Sequence, residues 1–226
     1  MEHFVYAILL ALALAATAFV WLRERRALSR IAQERDAIEI EERRMFDFLH
    51  GLGEKLQDDH SPSNMHRYIV DGVADVINGD AGVLYLLDGD TGQLVPICQS
   101  AATAPVLPVP AEIEALEDPA DAENQYRSYI RLSTLDLDDF LISRVMKEGK
   151  IFCVGDLIEH PDFAAGASEF HRGVRLLAAP LIYARKQVGV LAVTRRGGER
   201  FSRNDEEVFA SVAEQSSFAL GSAIIH

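Results

Sequence analysis

The sequence predicts an α/β domain of the α+β type: an antiparallel sheet of five or six strands flanked by helices, preceded by a transmembrane helix and a helical linker. Three observations lead to this fold class. Pairs of aliphatic runs of strand length are separated by short polar turns, and they alternate with segments of helical periodicity. Residues 4–22 contain no charged side chain, and residues 23–50 are rich in charged, helix-forming residues.

The strongest local pattern is a hairpin followed by a helix near the C-terminus. Leu176–Tyr183 and Val188–Thr194 are aliphatic runs of strand length, and the polar segment Ala184–Gln187 between them predicts a turn. Ser202, followed three residues later by Asp205, is typical of a helix start, because the acidic side chain is favoured near the positive end of the helix dipole.

The remaining elements follow from periodicity and from glycine and proline positions. Residues 100–110 are rich in alanine and proline, which predicts an irregular segment. The other predicted elements, in chain order, are a helix over Met65–Asn78, strands Ala81–Leu87 and Gln93–Gln99 joined by a turn at Asp88–Gly92, helical pieces within 111–138, a helix over Asp138–Lys147, a strand at Ile151–Val154 and a final helix over Asp205–Ile225.

The apolar segment 4–22 has the length of a membrane-spanning helix. Trp21 lies at its end, where amphipathic aromatic side chains anchor at the membrane interface. Basic residues follow the segment and none precedes it, which favours a single-pass anchor over the alternative of a cleaved signal peptide. The positive-inside rule then places the C-terminal domain in the cytoplasm and the protein in the inner (cytoplasmic) membrane.

Residues 23–50 are predicted to form a helical linker with a possible short coiled coil. Ile31, Ile38, Met45 and Leu52 recur every seven residues, as in the core of a coiled coil. Polar residues interrupt the companion core position, so a solvated single helix is the alternative.

Charge and cysteine content exclude several classes of protein. The net charge of -13 argues against binding to nucleic acid, whose phosphates attract basic proteins. Two cysteines, Cys98 and Cys153, provide neither a disulfide framework nor a zinc-site spacing, so no metal site is expected. Both are predicted to be buried apolar side chains in strands.

The order of the motifs resembles that of the GAF domain family, a group of small sensory and dimerisation modules. The resemblance rests on Ala-Pro-Leu-Ile at 179–182, Val-Gly-Val-Leu-Ala-Val at 188–193, Phe201 and Asp-Glu at 205–206. It extends upstream to about residue 49, so we expect a GAF domain over residues 51–226.

The resemblance implies a ligand cavity between the sheet and the segments that connect its two hairpins. The ligand-binding candidates are Tyr126, Tyr129, Phe152, Cys153, Asp156, Phe163 and Ala179. For Tyr126 and Tyr129 a solvated helix face is the alternative. Arg195 is expected to pair with Asp205 beside Phe201 as a structural tether, which is worth about 0–1 kcal/mol if it is exposed.

No catalytic motif is present, so the chain is not expected to be an enzyme. GAF-like reductases of free methionine sulfoxide use pocket cysteines, but the rest of this chain departs from their compact pattern. Cyclic-nucleotide GAF domains carry Asn-Lys where this chain has Thr194-Arg195. Neither cysteine has the context of a bilin attachment site. His160 and His171 lie in the region of a haem ligand in some GAF domains, but a helix cap or a solvated side chain is favoured. No cofactor is therefore required.

These observations predict a membrane-anchored cytoplasmic GAF domain that senses a small molecule, dimerises, or does both, and acts on a signalling partner protein. Two alternatives remain open. One is a ligand-free dimerisation scaffold, and the other is the sensor part of a larger phosphatase, cyclase or kinase.

Overall fold

The computed structural model describes residues 42–55, 61–164 and 168–225, together with Trp21 and Ile40. The chain divides into two compact units, Met1–Arg43 and Arg44–His226. Apart from Trp21, the predicted membrane span 4–22 lies outside the described residues, and so does most of the predicted linker 23–50. No helix within the described parts of the chain is both long enough and apolar enough to cross a bilayer.

The second unit alternates hairpins and helices in the predicted order. Its elements are α1 (residues 42–55, of which 44–55 belong to this unit), α2 (Pro62–Val76), β1 (Ala81–Leu87), β2 (Leu94–Gln99), α3 (Ala111–Glu114), α4 (Pro119–Leu132), α5 (Leu141–Glu148), β3 (Phe152–Val154), a 3₁₀ turn (Leu157–Glu159), α6 (Pro161–Ala164), β4 (Val174–Tyr183), β5 (Lys186–Arg196) and α7 (Arg203–Ile225). Asp205, in the first turn of α7, accepts a hydrogen bond from the Ser202 N–H, and the Ser202 hydroxyl accepts one from the Asp205 N–H.

The strands form one antiparallel sheet in the order β2-β1-β5-β4-β3. The predicted antiparallel architecture is therefore confirmed, with five strands. The two central pairs are in register over long stretches, with Ala81 opposite Thr194 in β1–β5 and Val174 opposite Arg196 in β4–β5. Because side chains alternate along a strand, neighbouring residues of β5 lie on opposite faces of the sheet.

Each face of the sheet is covered by its own helices and its own buried core. On the α4 face, Ala192 belongs to the same buried core as Tyr126 of α4 and Phe163 of α6. On the α7 face, Leu191 and Val193 pack with helices α1, α2 and α7. The helices that begin and end this unit therefore share one face of the sheet.

Helix α1 belongs to the core of this unit. Phe48 stacks on Tyr68 of α2 with 5.6 Å between ring centroids, and Leu52 is 4% exposed. Met45 and Leu52, two of the predicted coiled-coil positions, pack against the core of the α7 face. Leu52 is thus buried inside its own domain, and Met45 is partly buried against the same core.

The predicted four-residue turn of the C-terminal hairpin is wrong. Strand β4 ends at Tyr183 and β5 begins at Lys186, so the turn consists of Ala184 and Arg185 alone. Both residues have positive φ, 48° and 65°, as a type I′ hairpin turn requires. The turn could not be predicted from the sequence, because type I′ turns are recognised by glycine and asparagine and neither residue is one of these.

The edges of the sheet are short or covered. At one edge, β3 consists of three residues. At the other, β2 contains Pro96, and Leu94 exchanges two backbone hydrogen bonds of 2.9 Å with Leu135, which lies outside the named strands. Pro96 has no backbone N–H to donate, Leu94 is already paired and β3 offers three residues, and each of these features disfavours pairing with another strand.

Candidate functional site

A cleft of about 930 Å³ opens at one end of the sheet on the α4 face. Its walls come from the end of β5, the start of β4, the segment 102–105, helices α3 and α4, and the segment 168–170. The lining residues used below are Asp80, Ile113, Glu114, Glu123, Phe170, Val174, Thr194 and Arg196. A volume of this order is typical of small-molecule sites.

The strand register fixes the floor of the cleft. Thr194 and Arg196 lie on the same face of β5 as the buried Ala192, because they differ from it by two and four residues. Val174 of β4 pairs with Arg196 and lines the same end. Thr194 is 2% exposed, so its side chain is enclosed although it contributes to the wall.

Arg196 ties the cleft wall together through backbone groups. One guanidinium nitrogen donates to the carbonyl oxygen of Phe170 at 2.9 Å, and the other lies 3.4 Å from that of Glu169 and 3.5 Å from that of Arg172. The backbone N–H of Arg196 donates to the Asp80 carboxylate. The strand end, the entry to β1 and the segment before β4 are thereby joined at one residue.

A buried polar group lies next to this wall. The His171 Nε2 lies 2.8 Å from the Leu107 carbonyl oxygen, and the Tyr126 hydroxyl donates to the same oxygen. Because a carbonyl only accepts hydrogen bonds, Nε2 carries the proton and Nδ1 is left as an acceptor. His171 Nδ1 has no hydrogen-bond partner among the described residues.

Burial sets the protonation of this group. Desolvation lowers the pKa of His171 below its ordinary value, although the hydrogen bond to Leu107 opposes the shift. Desolvation also raises the pKa of Tyr126 well above its ordinary value. The imidazole is therefore neutral and the phenol protonated near pH 7. His171 is fully buried, so the prediction of a solvated or helix-capping side chain at this position is wrong.

On the opposite face, Arg195 connects three elements. Its Nη1 lies 3.6 Å from the Asp205 Oδ2 in α7, and its Nε donates to the Asn78 carbonyl oxygen, just after α2, at 3.0 Å. The guanidinium also lies 4.2 Å from the centre of the Phe201 ring. The side chains of Arg195 and Asp205 are only 15% and 17% exposed, so this contact is less exposed than an ordinary surface ion pair.

The family model for the GAF domain matches residues 59–221 of this sequence. The chain belongs to the GAF domain family. A search of curated protein sequences found no match.

Solved structures show the same fold. The GAF domain of an Acinetobacter phosphoenolpyruvate-protein phosphotransferase superposes with a TM-score of 0.56 at 19% identity, covering 80% of this chain and 95% of that chain. The free methionine-R-sulfoxide reductase of Neisseria meningitidis, solved with its substrate, gives 0.57 at 14% identity, over 80% and 90%. The A. aeolicus nlh2 GAF domain, solved in an inactive state, gives 0.55 at 9%, over 82% and 98%.

Three of the predicted ligand-binding residues come together in this GAF domain. Tyr126 and Phe163 are buried in the core of the α4 face, and the partly buried Tyr129 stacks on Tyr126 with 6.4 Å between centroids. The solvated alternative for Tyr126 is wrong, because the side chain is 0% exposed. These residues lie in the packed core of the face that carries the cleft and are not among the residues that line it.

The other four predicted residues are dispersed. Phe152 packs against the edge of the same core, and Asp156 caps a 3₁₀ turn by accepting a hydrogen bond from the Ile158 N–H at 3.3 Å. Cys153 pairs with Leu177 of the α7 face and is exposed, so the prediction that it is buried is wrong. Ala179 is buried on the α7 face. The sheet separates these last two residues from the cleft.

Neither cysteine of this GAF domain lines the cleft. Cys98 is half-buried and packs on the α7 face, and Cys153 lies near Glu206 of α7. Burial and the neighbouring carboxylate raise the pKa of the Cys153 thiol to about 11, which disfavours the reactive thiolate. The described residues also contain no cluster of three side chains able to hold a metal ion.

Sequence reasoning missed the residues that line the cleft. Asp80, Glu114 and Glu123 look like surface carboxylates in the sequence, and Thr194 and Arg196 look like the polar end of a strand. One signal was available, since residues two apart at the end of a strand share a face. That signal gives the side of the sheet, but it does not show which loops complete the wall.

Proposed function

We propose that this chain is a non-enzymatic signalling module whose GAF domain senses a small molecule in the cleft and passes the signal through its terminal helices. The proposal includes a homodimer, a membrane anchor formed by residues 4–22 and a position of the domain on the cytoplasmic side. The family supports the sensory part, because GAF domains are typically signalling modules. The positions of both cysteines away from the cleft support the non-enzymatic part.

One observation carries the proposal: three consecutive residues of β5 connect the cleft to the helices of the opposite face. Thr194 and Arg196 line the cleft. Arg195 between them contacts Asn78 after α2 and Asp205 in the first turn of α7. A displacement of the strand end on one face therefore moves the side chain that fixes two helices on the other.

The mechanism is a shift between two populations of the domain. A ligand that binds one geometry of the cleft more tightly than another stabilises the arrangement of β5 that fits that geometry. Arg195 carries the change to α2 and α7, and a dimer formed by those helices responds to it. The coupling is limited by the difference in ligand affinity between the two geometries.

Native mass spectrometry of the full chain, released from detergent and compared with its denatured mass, tests the proposal. A dimer carrying extra mass that is lost on denaturation is the expected result. A dimer whose mass equals twice that of the polypeptide, with no small molecule bound after screening, would favour the ligand-free scaffold. A monomer without bound mass would overturn the proposal.

A further inference from the structure

The charged side chains around the cleft are predominantly acidic. Among the described residues that line it, Asp80, Glu114, Glu123 and Glu169 are acidic, and Arg196 is the one cation. The carboxylates come from four separate segments, so the negative charge surrounds the opening instead of lying along one helix. A cleft lined by one sign of charge concentrates ligands of the opposite sign.

Two of these carboxylates are already engaged. Asp80 accepts the backbone N–H of Arg196, and Glu169 pairs with Arg172 at 2.8 Å. Glu114 of α3 and Glu123 of α4 have neither a hydrogen bond nor an ion pair with any residue that the structure describes. They are the negative charges available to a ligand.

The one cation of the cleft is committed to backbone groups. The Arg196 guanidinium faces three carbonyl oxygens, those of Glu169, Phe170 and Arg172. An anionic ligand would have to replace these contacts and also approach four carboxylates. The arrangement therefore disfavours an anion.

The Thr194 side chain adds a hydroxyl group to the wall of the cleft. Thr194 is 98% buried, lines the cleft, and its side chain has no hydrogen-bond partner among the described residues. Its position on β5 directs the side chain to the α4 face, beside the apolar Val174 and Ile113. Because the side chain lines the cleft, its hydroxyl can form a hydrogen bond with a polar group of a ligand.

We propose that the cleft binds a small organic cation: an amine whose ammonium group lies between Glu114 and Glu123 and whose apolar body packs on Val174, Ile113 and Phe170, with a polar group against the Thr194 hydroxyl. The ammonium donates to the two free carboxylates. The apolar wall accounts for the body of the ligand, and a cavity of about 930 Å³ accommodates an aromatic amine. This inference rests on the proposed sensory function and names the chemistry of its ligand.

Three probes of equal apolar body test the charge preference: tryptamine, tryptophol and indole-3-acetate, which are cationic, neutral and anionic at pH 7. Isothermal titration calorimetry on the full chain measures their affinities at low and high salt. Tryptamine is expected to bind about fivefold more tightly than tryptophol at low salt, because an exposed ion pair is worth up to about 1 kcal/mol. Indole-3-acetate is expected to bind most weakly, and high salt should reduce the preference.

Glutamine variants test whether the carboxylates of Glu114 and Glu123 bind the ammonium group. The double variant Glu114→Gln, Glu123→Gln keeps the size of both side chains and should remove the preference for tryptamine while leaving tryptophol binding unchanged. Glu112→Gln is the matched control, because Glu112 is an exposed carboxylate of the same helix α3 that does not line the cleft. This control variant should retain the affinities of the unmodified chain.

The outcomes separate the two proposals. Equal affinities for the three probes, or tighter binding of indole-3-acetate, would overturn the cation and leave the sensory function standing. A preference for tryptamine that survives in the double variant would overturn the role of the two glutamates. Failure of all three probes to bind at millimolar concentration would overturn the aromatic amine as ligand, whereas the sensory function is decided separately by the native mass spectrum.

Discussion

Arg195 makes polar and ring contacts with several elements on the α7 face. It pairs with Asp205, donates to the carbonyl oxygens of Ile77 and Asn78, and lies over the Phe201 ring. Because both charged side chains are largely removed from water, their attraction is screened less than that of an exposed pair. At this scale, one side chain of β5 contacts the end of α2 and the first turn of α7.

A double-mutant cycle measures that contact. Arg195→Met, Asp205→Asn and the double variant are unfolded in urea, and the expected coupling is about 1 kcal/mol or slightly more, between the values of exposed and buried pairs. The control cycle uses Arg203 and Glu207, an exposed pair on the same helix with side chains 91% and 66% exposed. Its coupling should stay below about 0.5 kcal/mol. Additive effects at Arg195 and Asp205 would refute the tether.

His171 makes stability depend on pH. Burial lowers its pKa below the ordinary 6.5, so the unfolded chain takes up a proton at this residue at a higher pH than the folded chain. Its contribution is fully present above the unfolded pKa and is lost as the pH falls below it. Between about pH 7.5 and 5.5 the free energy of unfolding should therefore fall less in His171→Gln than in the unmodified chain.

Urea titrations at several pH values measure how steeply the free energy of unfolding changes with pH in the unmodified chain and in His171→Gln. His160→Gln is the control, because burial also lowers the pKa of His160 but its side chain is 21% exposed, whereas His171 is fully buried. Its slope should change less than that of His171→Gln. Parallel pH profiles for the unmodified chain and His171→Gln would show that the buried imidazole is not responsible.

At the scale of elements, the conformation of the β4–β5 turn and the position of helix α7 depend on contacts that local sequence patterns do not predict. Ala184 and Arg185 form the turn with positive φ. Ser217 of α7 accepts a hydrogen bond from the backbone N–H of Ile182 at 3.1 Å, next to the bulge of β4. Gly221 lies against the ring of Tyr183. These contacts bind the end of α7 to the hairpin.

Replacing Ala184-Arg185 by Asn-Gly should stabilise the domain. A non-glycine residue with positive φ costs about 1–2 kcal/mol, and Asn-Gly is the preferred type I′ pair, so a gain of about 1 kcal/mol in the free energy of unfolding is expected. Lys186→Gly is the control, because Lys186 lies in β5 and glycine weakens a strand by about 0.5–1 kcal/mol. Urea unfolding measures both variants. A destabilised Asn-Gly variant would contradict the assigned turn.

Gly221→Ala should destabilise the domain although alanine favours helices. A Cβ at this position would overlap the Cγ of Tyr183, so either the ring or the helix has to move. The expected loss is about 1–3 kcal/mol, as in other overpacked cores.

Gly53→Ala in α1 is the matched control, because its Cβ would meet no heavy atom within 4 Å, and alanine at this site should stabilise the helix. Thermal unfolding compares the two variants. Equal shifts in their midpoints would show that the contact with Tyr183 carries no packing constraint.

The sequence predicted the strands and helices well because each has its own local period, but the cleft depends on contacts between distant segments. The segment around Leu107 has no period at all, and yet Ala104, Val106 and Leu107 are buried, and the Leu107 carbonyl oxygen accepts the Tyr126 and His171 side chains. No local rule brings these residues together. The same holds for Arg196, whose partners lie about 25 residues away.

At the scale of the whole molecule, the proposal combines a membrane anchor with this domain. Deleting residues 1–22 should move the protein from the membrane fraction to the supernatant after ultracentrifugation, because the deleted segment carries the uncharged apolar run. The domain should remain folded, since its compact unit begins at Arg44. Circular dichroism of the deleted form checks that point. A full-length chain already found in the supernatant without detergent would refute the anchor.

The short, covered edges of the sheet have a consequence for aggregation. An open edge strand recruits strands of other molecules and starts fibrous assemblies. Here Pro96 and the Leu135 bridge interrupt one edge, and the three-residue β3 limits the other. Both features leave an incoming strand few backbone groups to pair with. Fibrous assembly through the edges of this sheet is thereby disfavoured.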